Sequence, residues 1–249
     1  MADDYKLTIE ECNIINRQVK EYLRQREEKQ YPSEYDLLNT GDKLLVLFYS
    51  KLVRKNAEVI EEEITNDLKV LEKSGIGTLK SLKHRLKPMA SIVEKIVSDS
   101  EDYDNSYERA ANNICDAVRY TFVINDDLYT EKIDECLHKL EEMGYEVIDL
   151  KNKWDSKEYK GINVRIVAKN KKDIFELQFH TPFAYRIKEG PNENSTEGST
   201  RDLYRVSRDK HAPKWLRLKA DRLRIYLQSF INIPEGIIGY MYDPDIKRR

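Results

Sequence analysis

The sequence has few cysteines, which stabilise small secreted proteins through disulfide bonds, and no apolar run long enough to span a membrane. Its 249 residues include only three cysteines, Cys12, Cys115 and Cys136, which form neither a C-x-x-C pair nor a disulfide framework. We therefore expect free thiols in a cytoplasmic protein. The four histidines lack the spacing of a structural zinc site. The longest strongly apolar run, residues 44–49, is too short to cross a bilayer, so we expect no membrane partner and no secretory signal.

Charge, by contrast, is plentiful and unevenly placed. Charged residues make up 35% of the sequence and hydrophobic residues 40%, so the chain can bury a core beneath a highly charged surface. The net charge is only −2, yet residues 201–249 carry 12 Lys and Arg against 6 Asp and Glu, a net of +6. This basic excess suits a phosphate-rich ligand better than nonspecific binding along nucleic acid.

The first 75 residues have the pattern of helices. Thr8 and Glu11 form a capping box at the start of the first predicted helix, whose apolar stripe begins at Ile9. The predicted helices cover 8–28, 43–55 and 57–73. The two glycines of residues 74–77 then interrupt the helical pattern.

Strands appear among the helices after this interruption. Residues 78–98 have the pattern of a basic helix that Pro88 kinks or restarts. The predicted strands cover 117–124, 145–150, 163–168 and 174–180, and the later helices cover 130–143, 183–188, 201–210 and 214–230. Residues 169–173 are expected to form a hairpin turn, and residues 190–200 a mobile loop. These elements predict an α+β fold, in which helices flank a mixed sheet of about four to five strands with one β-α-β crossover followed by a hairpin.

The same patterns divide the chain into three regions. They are a helical N-terminal region (1–75), an α/β core (76–235) and a basic C-terminal tail (236–249). The helical region is either a regulatory module or, in the interpretation we favour, packing support for the sheet.

The predicted strand 174–180 carries the first candidate site. Its alternation places Glu176, Gln178 and His180 on one face and three apolar side chains on the other. Because the segment is otherwise apolar, this polar row indicates a site, while an amphipathic strand with one wet face is the alternative. A carboxylate here can bind Mg²⁺ or accept the proton of a hydroxyl group.

A basic segment supplies the second candidate site. On a helix, Lys87, Ser91 and Lys95 share an edge that can hold a polyphosphate, and Arg85 is free to stack on a base. The alternative is a solvated basic face.

Two shorter motifs add a carboxylate and further cations. Asp116 precedes a predicted strand and can serve as a second metal ligand, and Arg119 can bind phosphate, unless the two form a buried ion pair. Further along, Gly161 allows close approach of the backbone, while Lys160 and Arg165 offer charge to phosphates.

In this order, the motifs resemble the synthetase domain of the RelA/SpoT alarmone synthetases and their small, toxin-like relatives. The matching residues are Arg85, Lys87, Ser91 and Lys95 in the basic segment, Asp116 and Arg119 around a strand, Lys160 and Gly161 in a K-G-Y-type loop, and Glu176 and Gln178 in an E-x-Q strand. The resemblance covers residues 79–208, about half of the chain.

The resemblance implies a nucleotidyltransferase-like synthetase fold and transfer of pyrophosphate from ATP to a ribose hydroxyl. It implies that Glu176 activates the acceptor hydroxyl and that Glu176 and Asp116 bind Mg²⁺. Arg85 is expected to stack on the adenine of ATP, while Arg119 and the two lysines of the basic segment neutralise phosphates. Such a transfer depends on positioning, metal and cationic charge more than on a dedicated nucleophile.

The sequence departs from the family mainly on the acceptor side. Asp116 and Arg119 are three residues apart instead of five, and Ile162 replaces the aromatic residue that stacks on guanine. Ile166 and Arg201 stand where the family has histidines. Loss of a stacking aromatic costs about 1–3 kcal/mol of base recognition. The acceptor is therefore left open between GDP or GTP, an adenine nucleotide, and the 3′ end of tRNA.

The candidate catalytic residues and metal ligands are Asp116 and Glu176. The candidate nucleotide-binding residues are Arg85, Lys87, Ser91, Lys95, Arg119, Lys160, Asn163, Arg165, Gln178, His180, Tyr204 and Arg208. The expected cofactor is Mg²⁺, and the expected partners are ATP, the acceptor and, as an open question, a second copy of the chain. The basic helix 214–224 could bind an RNA acceptor. In the alternative that we favour, its basic face is solvated and its leucines pack on the protein.

Two other functions stay open. One is a decayed synthetase fold that binds a nucleotide or a partner without turnover. The other is an ADP-ribosyltransferase, which Arg165, Glu176 and residues 195–200 suggest, although in no convincing order.

Overall fold

The computed structural model describes residues 6–29, 34–190 and 199–243, which adopt an α+β fold. The helices are α1 (Ile9–Lys29), α2 (Thr40–Lys73), α3 (Met89–Ser100), α4 (Tyr107–Asn112), α5 (Tyr129–Glu142), α6 (Pro182–Glu189), α7 (Thr200–Arg208) and α8 (Lys214–Gln228). The strands are β1 (Thr78–Lys80), β2 (Arg119–Val123), β3 (Glu146–Asn152), β4 (Ile162–Val167) and β5 (Ile174–His180). None of the helices in these ranges is long and apolar enough to cross a membrane.

The five strands form one mixed sheet in the order β1-β2-β5-β4-β3, which confirms the predicted fold class. β2 and β5 are parallel, and the other neighbouring pairs are antiparallel. The chain crosses from β2 through α5 to β3 at the far edge. The β4–β5 hairpin then fills the space between them, so the predicted crossover spans two intervening strands.

One face of the sheet carries the main apolar core. Phe122 on β2 stacks on Phe179 on β5 with ring centroids 6.3 Å apart, and Tyr120 meets Phe175 edge to face. The Tyr120 hydroxyl shares a hydrogen bond of 2.7 Å with Thr65 of α2. The buried residues of α2 and α5 belong to the same core, so α2 packs directly on the sheet.

α2 is one helix of 34 residues, so the predicted pair of helices over 43–55 and 57–73 was wrong. No Gly or Pro lies between the two ranges, and buried residues continue through both. Asn39 caps the start of α2 by accepting a hydrogen bond from the Asp42 N–H at 2.9 Å. Gly75, with φ +87°, follows its end.

α1 packs elsewhere, in a second apolar cluster with α7 and α8. The predicted capping box is confirmed, because the Glu11 N–H donates to Thr8 Oγ1 at 3.1 Å and the Thr8 N–H donates to the Glu11 carboxylate at 2.7 Å. Val19 is fully buried, but Ile9 is 81% exposed, so the predicted stripe was wrong at its first residue. The two N-terminal helices thus support different parts of the fold, and the division of the chain at residue 75 stays a prediction.

The prediction of a basic helix over residues 78–98 was wrong for the residues before Pro88, whereas the second helix that Pro88 was predicted to start is confirmed as α3. The first residues of this segment form β1, and Leu86 makes a single antiparallel bridge to Val118. α3 begins only after Pro88. Pairing with the edge of β2 therefore overrides the local helical pattern, as tertiary contacts often do.

The other predicted elements are confirmed to within a few residues at their ends. They are the strands that became β2 to β5, the helices that became α5 to α8, and the turn between β4 and β5. Residues 191–198 of the predicted loop and 244–249 of the predicted tail lie outside the described residues.

Candidate functional site

A row of alternating charges crosses the second face of the sheet. Arg119, Glu176, Arg165 and Asp149 stand side by side on β2, β5, β4 and β3. Arg165 Nη2 lies 2.9 Å from Asp149 Oδ2. Glu176 is therefore flanked by an arginine on each neighbouring strand.

Gln178 stands next to Glu176 on this face, as the alternation predicted. Its side-chain amide N–H donates to Glu176 Oε1, and its Oε1 accepts a hydrogen bond of 2.6 Å from Lys188 Nζ. The register places Gln178 beside Thr121 of β2 and Asn163 of β4. These contacts fix the Glu176 carboxylate from its own strand.

A cavity of about 440 Å³ lies over this face. Small-molecule sites commonly have about 300–1,000 Å³. Four of the predicted residues line its floor, namely Arg119, Asn163, Glu176 and Gln178. Its walls contain Lys153, Ser156, Glu158, Tyr159, Lys188, Glu189, Thr200, Arg201, Tyr204, Arg224 and Gln228. The sheet and the three C-terminal helices therefore enclose the candidate active site together.

Capping residues mark the starts of two of the helices that form these walls. Thr181 caps α6 by accepting from the Ala184 N–H at 3.3 Å, and Pro182 occupies the first position of the helix. Ser199 caps α7 in the same way, by accepting from the Asp202 N–H at 3.1 Å. Because α6 follows β5 with one intervening residue, its side chains fold back over the polar face of the strand.

Asp116 lies before β2 in a cluster with two lysines. Lys87 Nζ is 2.6 Å from Asp116 Oδ2, and Lys95 Nζ is 3.1 Å from Oδ1. Burial alone would raise the pKa of Asp116, but the two ammonium groups outweigh it and hold this pKa at about 2. The predicted lysines therefore meet, although Lys87 precedes α3 instead of sharing its edge. Ser91 lies in the first turn of α3.

Arg85 is tied to α2. Its Nε donates to Glu61, and its Nη1 donates to the Leu82 carbonyl at 2.9 Å. The hydrogen bond from Arg85 lowers the pKa of Glu61. Arg85 does not line the cavity above Glu176. It is thus engaged in this structure, and its role in stacking on adenine stays a prediction.

His180 lies at the buried end of the polar row, outside the cavity wall. Its Nδ1 is 3.0 Å from the Lys160 carbonyl, which can only accept, so a neutral ring carries its proton on Nδ1. Nε2 then accepts from the Lys188 ammonium at 3.2 Å and lies 2.9 Å from the Tyr159 hydroxyl, whose oxygen is also 2.8 Å from Asn163 Oδ1. Burial, with the charge of Lys188, lowers the pKa of His180 well below its ordinary value, so the ring is neutral.

The segment before β4 supports this histidine. A Cβ at Gly161 would lie 2.6 Å from His180 Cε1, so the close approach predicted for this glycine is to His180. Lys160 Nζ donates to the Trp154 carbonyl at 2.6 Å, and burial lowers the pKa of Lys160. Ile162 is fully buried.

The remaining predicted residues lie beside the cavity. Arg165 lines a smaller cavity of about 200 Å³ next to α2. Tyr204 and Arg208 line a neighbouring cavity of about 560 Å³ between α7 and α8, and Tyr204 also belongs to the wall above Glu176. The guanidinium groups of Arg208 and Arg224 lie 5.4 and 5.5 Å from the centre of the Tyr204 ring.

Four cations of the wall were not predicted from the sequence as site residues, namely Lys153, Lys188, Arg201 and Arg224. Lys188 on α6 contacts Gln178, and Arg224 on α8 is 6% exposed and donates to the Glu158 carbonyl at 3.1 Å. Neither belongs to a motif. For Lys188 a signal existed, because a helix joined closely to β5 must place some of its residues over that strand.

Metal ligation was predicted at Asp116 and Glu176. Among residues 6–29, 34–190 and 199–243, no three His, Cys, Asp or Glu side chains are grouped to hold a metal ion. Mg²⁺ usually takes only one or two protein carboxylates, together with water and substrate phosphates. Asp116, which is ionised, and Glu176 carry carboxylate oxygens of that kind, but only Glu176 lines the cavity of about 440 Å³, so a shared metal site stays a prediction.

No family model and no curated protein match the chain. Several solved structures have a similar fold. The Type VI effector Tas1, crystallised with its immunity protein, is 19% identical with a TM-score of 0.44, over 71% of this chain and 93% of that one. A GTP pyrophosphokinase family protein from Streptococcus pneumoniae is 14% identical with a TM-score of 0.43, over 77% and 90% of the two chains.

Small alarmone synthetase 1 from Bacillus subtilis is 14% identical to this chain. Its TM-score is 0.41, over 76% of this chain and 90% of that one. This structure and the pneumococcal one carry names of the family that the sequence motifs resemble. The similarity concerns the fold, and the function is inferred below from the residues of this chain.

Proposed function

We propose that the protein transfers pyrophosphate from ATP to a ribose hydroxyl of a nucleotide or of the 3′ end of tRNA. The observation that carries this proposal is the position of Glu176. Its carboxylate lies on the floor of a cavity of about 440 Å³, on the row between Arg119 and Arg165. A base flanked by cations suits a reaction in which a hydroxyl attacks a polyphosphate.

The proposed reaction balances without another reactant. The ribose oxygen forms a bond to the β-phosphorus of ATP, the bond between that phosphorus and the α,β-bridging oxygen breaks, and AMP leaves. The hydroxyl proton passes to Glu176. Arg119 at the cavity surface stabilises the charge on the phosphates.

The donor side would use the Asp116 cluster. Lys87 and Lys95 are held together by Asp116 and would bind phosphate once nucleotide draws them from the carboxylate. Asp116 and Glu176 would hold Mg²⁺, which when bound would neutralise charge on the transferred phosphates. Arg85 would need to leave Glu61 to stack on adenine.

The acceptor side differs from the family pattern at one position in particular. Ile162 is fully buried and cannot stack on a base. Tyr159 and Tyr204 do line the cavity, so aromatic surface is present without the expected residue. We therefore leave the acceptor open between guanine nucleotides, adenine nucleotides and tRNA.

The test is a screen for transfer with Mg²⁺ and γ-labelled ATP. GDP, GTP, AMP, ADP, ATP and deacylated tRNA are offered as acceptors, and products are identified by mass spectrometry. We expect a pyrophosphorylated product with one acceptor class, and its loss in Glu176→Gln. Glu146→Gln, an exposed residue of β3, is the matched control. No product with any acceptor would contradict the proposal.

A binding module without turnover is the second candidate. The observation that favours it is that both oxygens of Asp116 are engaged by lysines and Arg85 is engaged by Glu61. Calorimetry with a non-hydrolysable ATP analogue separates the two candidates. Nucleotide affinity without product in the acceptor screen would support the binding module, and turnover would exclude it.

A further inference from the structure

Lys188 lies where α6 folds back over the polar face of β5. Its Nζ is 2.6 Å from Gln178 Oε1 and 3.2 Å from His180 Nε2. Its side chain is 16% exposed, and it forms part of the wall of the candidate active site. An ammonium group this enclosed requires partners that accept hydrogen bonds, and it has them.

The lysine determines which way the Gln178 amide points. An ammonium group can only donate, so the amide must present its oxygen to Lys188 and its nitrogen to the other side. On that side the amide N–H donates to Glu176 Oε1. Gln178 is only 4% exposed, so water has little access to the amide and cannot readily hydrogen-bond to it in the flipped orientation.

We propose that Lys188 is a positioning residue of the active site, which orients the Gln178 amide so that this amide holds the Glu176 carboxylate. The proposal rests on the proposed function for its effect on turnover. Its structural part, the dependence of Gln178 on Lys188, does not. Removal of an outer partner of a metal-binding or catalytic group typically costs about 10- to 100-fold in activity.

The charged groups around Lys188 come from four elements. Glu189 of α6 has its Oε1 at 3.7 Å, and Glu176 of β5, Arg119 of β2 and Arg201 of α7 also act on its charge. His180 of β5 is neutral. Burial lowers the pKa of Lys188 to about 8, with the two arginines adding to this effect and the two glutamates opposing it.

The activity of the wild-type protein should therefore depend on pH in the alkaline range. As the pH rises through about 8, Lys188 loses its charge and kcat/KM should fall. Bound polyphosphate stabilises the ammonium form, so kcat should fall at a higher pH than kcat/KM. In Lys188→Arg the side chain keeps its charge over this pH range, so the fall in kcat/KM should be absent.

The first experiment compares three variants in the acceptor screen. Lys188→Met should lower kcat about 10- to 100-fold with KM within about threefold, because the outer contact is lost and the ligand contacts stay. Lys188→Arg should recover part of this loss. Arg186→Met, an exposed residue of the same helix, should retain wild-type kcat. Wild-type kcat in Lys188→Met would overturn the proposal.

The second experiment needs no turnover. The side-chain amide of Gln178 is followed by NMR hydrogen exchange in the nucleotide-free protein. Exchange should be slow in the wild type and in Arg186→Met, and faster in Lys188→Met. Equal exchange in all three proteins would overturn the positioning role. If the wild type yields no product with any acceptor, the proposed function fails, and this measurement still decides the role of Lys188.

Discussion

The two faces of β5 are built from opposite kinds of side chain on one backbone. Phe175, Leu177 and Phe179 are fully buried in the core beneath α2 and α5. Glu176 and Gln178, between them, form the floor of a cavity under α6, α7 and α8. The apolar face holds the strand rigid, which allows the polar face to keep a carboxylate in a fixed position.

The polar face is also more demanding, because each buried polar group on it needs a partner. Gln178 has Glu176 and Lys188, and His180 has Lys160, Tyr159 and Lys188. Substitutions on the two faces should therefore have different effects. Those on the apolar face should lower the free energy of unfolding, and those on the polar face should lower activity or change its pH dependence.

The largest expected effect on stability is from Phe179→Ala. The change removes a buried ring that stacks on Phe122 and should lower the free energy of unfolding by about 3–5 kcal/mol. Glu176→Gln, on the opposite face of the strand, should change it by less than about 1 kcal/mol. Urea unfolding at neutral pH measures both. Equal losses would mean that the two faces do not divide stability from function.

Asp116→Asn should have the next largest effect, because it leaves two half-buried ammonium groups without their partner. We expect a loss of about 3 kcal/mol at neutral pH in low salt, near the value for breaking a buried ion pair. The folded pKa of Asp116 is about 2 against an ordinary value of 3.8. The stabilisation is therefore present above about pH 4 and is lost as the pH falls to about 2.

Urea unfolding at pH 7, 4 and 3 tests this dependence on Asp116. The wild type should lose stability between pH 4 and 3 more steeply than Asp116→Asn. Asp104→Asn, whose carboxylate is 89% exposed in its ion pair with Arg109, is the control and should follow the wild type. Parallel curves for all three proteins would contradict the pKa assigned to Asp116.

The difference between local patterns and distant contacts also explains which strands and helices could be predicted from the sequence. β5 and its polar row were predictable because alternation with a period of two is a local signal. β1 and the Leu86 bridge were not, since their pairing with β2 joins residues that are distant in sequence. The split of α2 was an error of another kind, because no Gly or Pro interrupts residues 43–73 and buried residues continue through them.

The candidate site was predictable to a similar degree. Glu176, Gln178 and Arg119 belong to recognisable motifs and meet in the cavity. Lys188 belongs to no motif, and its contact with Gln178 appears only when α6 is placed over β5. His180 matched the polar row, but it packs against Gly161 in the segment before β4, a contact that no local pattern reveals.

Gly161→Ala should have a smaller effect than Asp116→Asn. The new Cβ would lie 2.6 Å from His180 Cε1, and we expect a loss of about 2 kcal/mol from overpacking. Gly75→Ala is the control, because its Cβ would meet nothing within 4 Å and only its positive φ costs about 1 kcal/mol. In a His180→Ala background, Gly161→Ala should cost less. An unchanged cost there would show that His180 is not the neighbour that requires glycine.

The smallest expected effect is the alkaline pH dependence of stability that Lys188 causes. Its folded pKa, about 8, lies below the ordinary value of 10.5, so the unfolded chain binds a proton in this range that the folded chain does not. The free energy of unfolding should therefore rise by roughly 1.5 kcal/mol from pH 8 to 9.5 relative to Lys188→Met.

Urea unfolding of the wild type, Lys188→Met and Arg186→Met at these two pH values gives the difference. Activity should move in the opposite direction over the same interval, because the neutral amine that stabilises the fold no longer supplies charge beside Glu176. A residue that only packed α6 against β5 would not make stability and activity change in opposite directions. Stability that falls in parallel with activity would therefore assign Lys188 to the support of the fold.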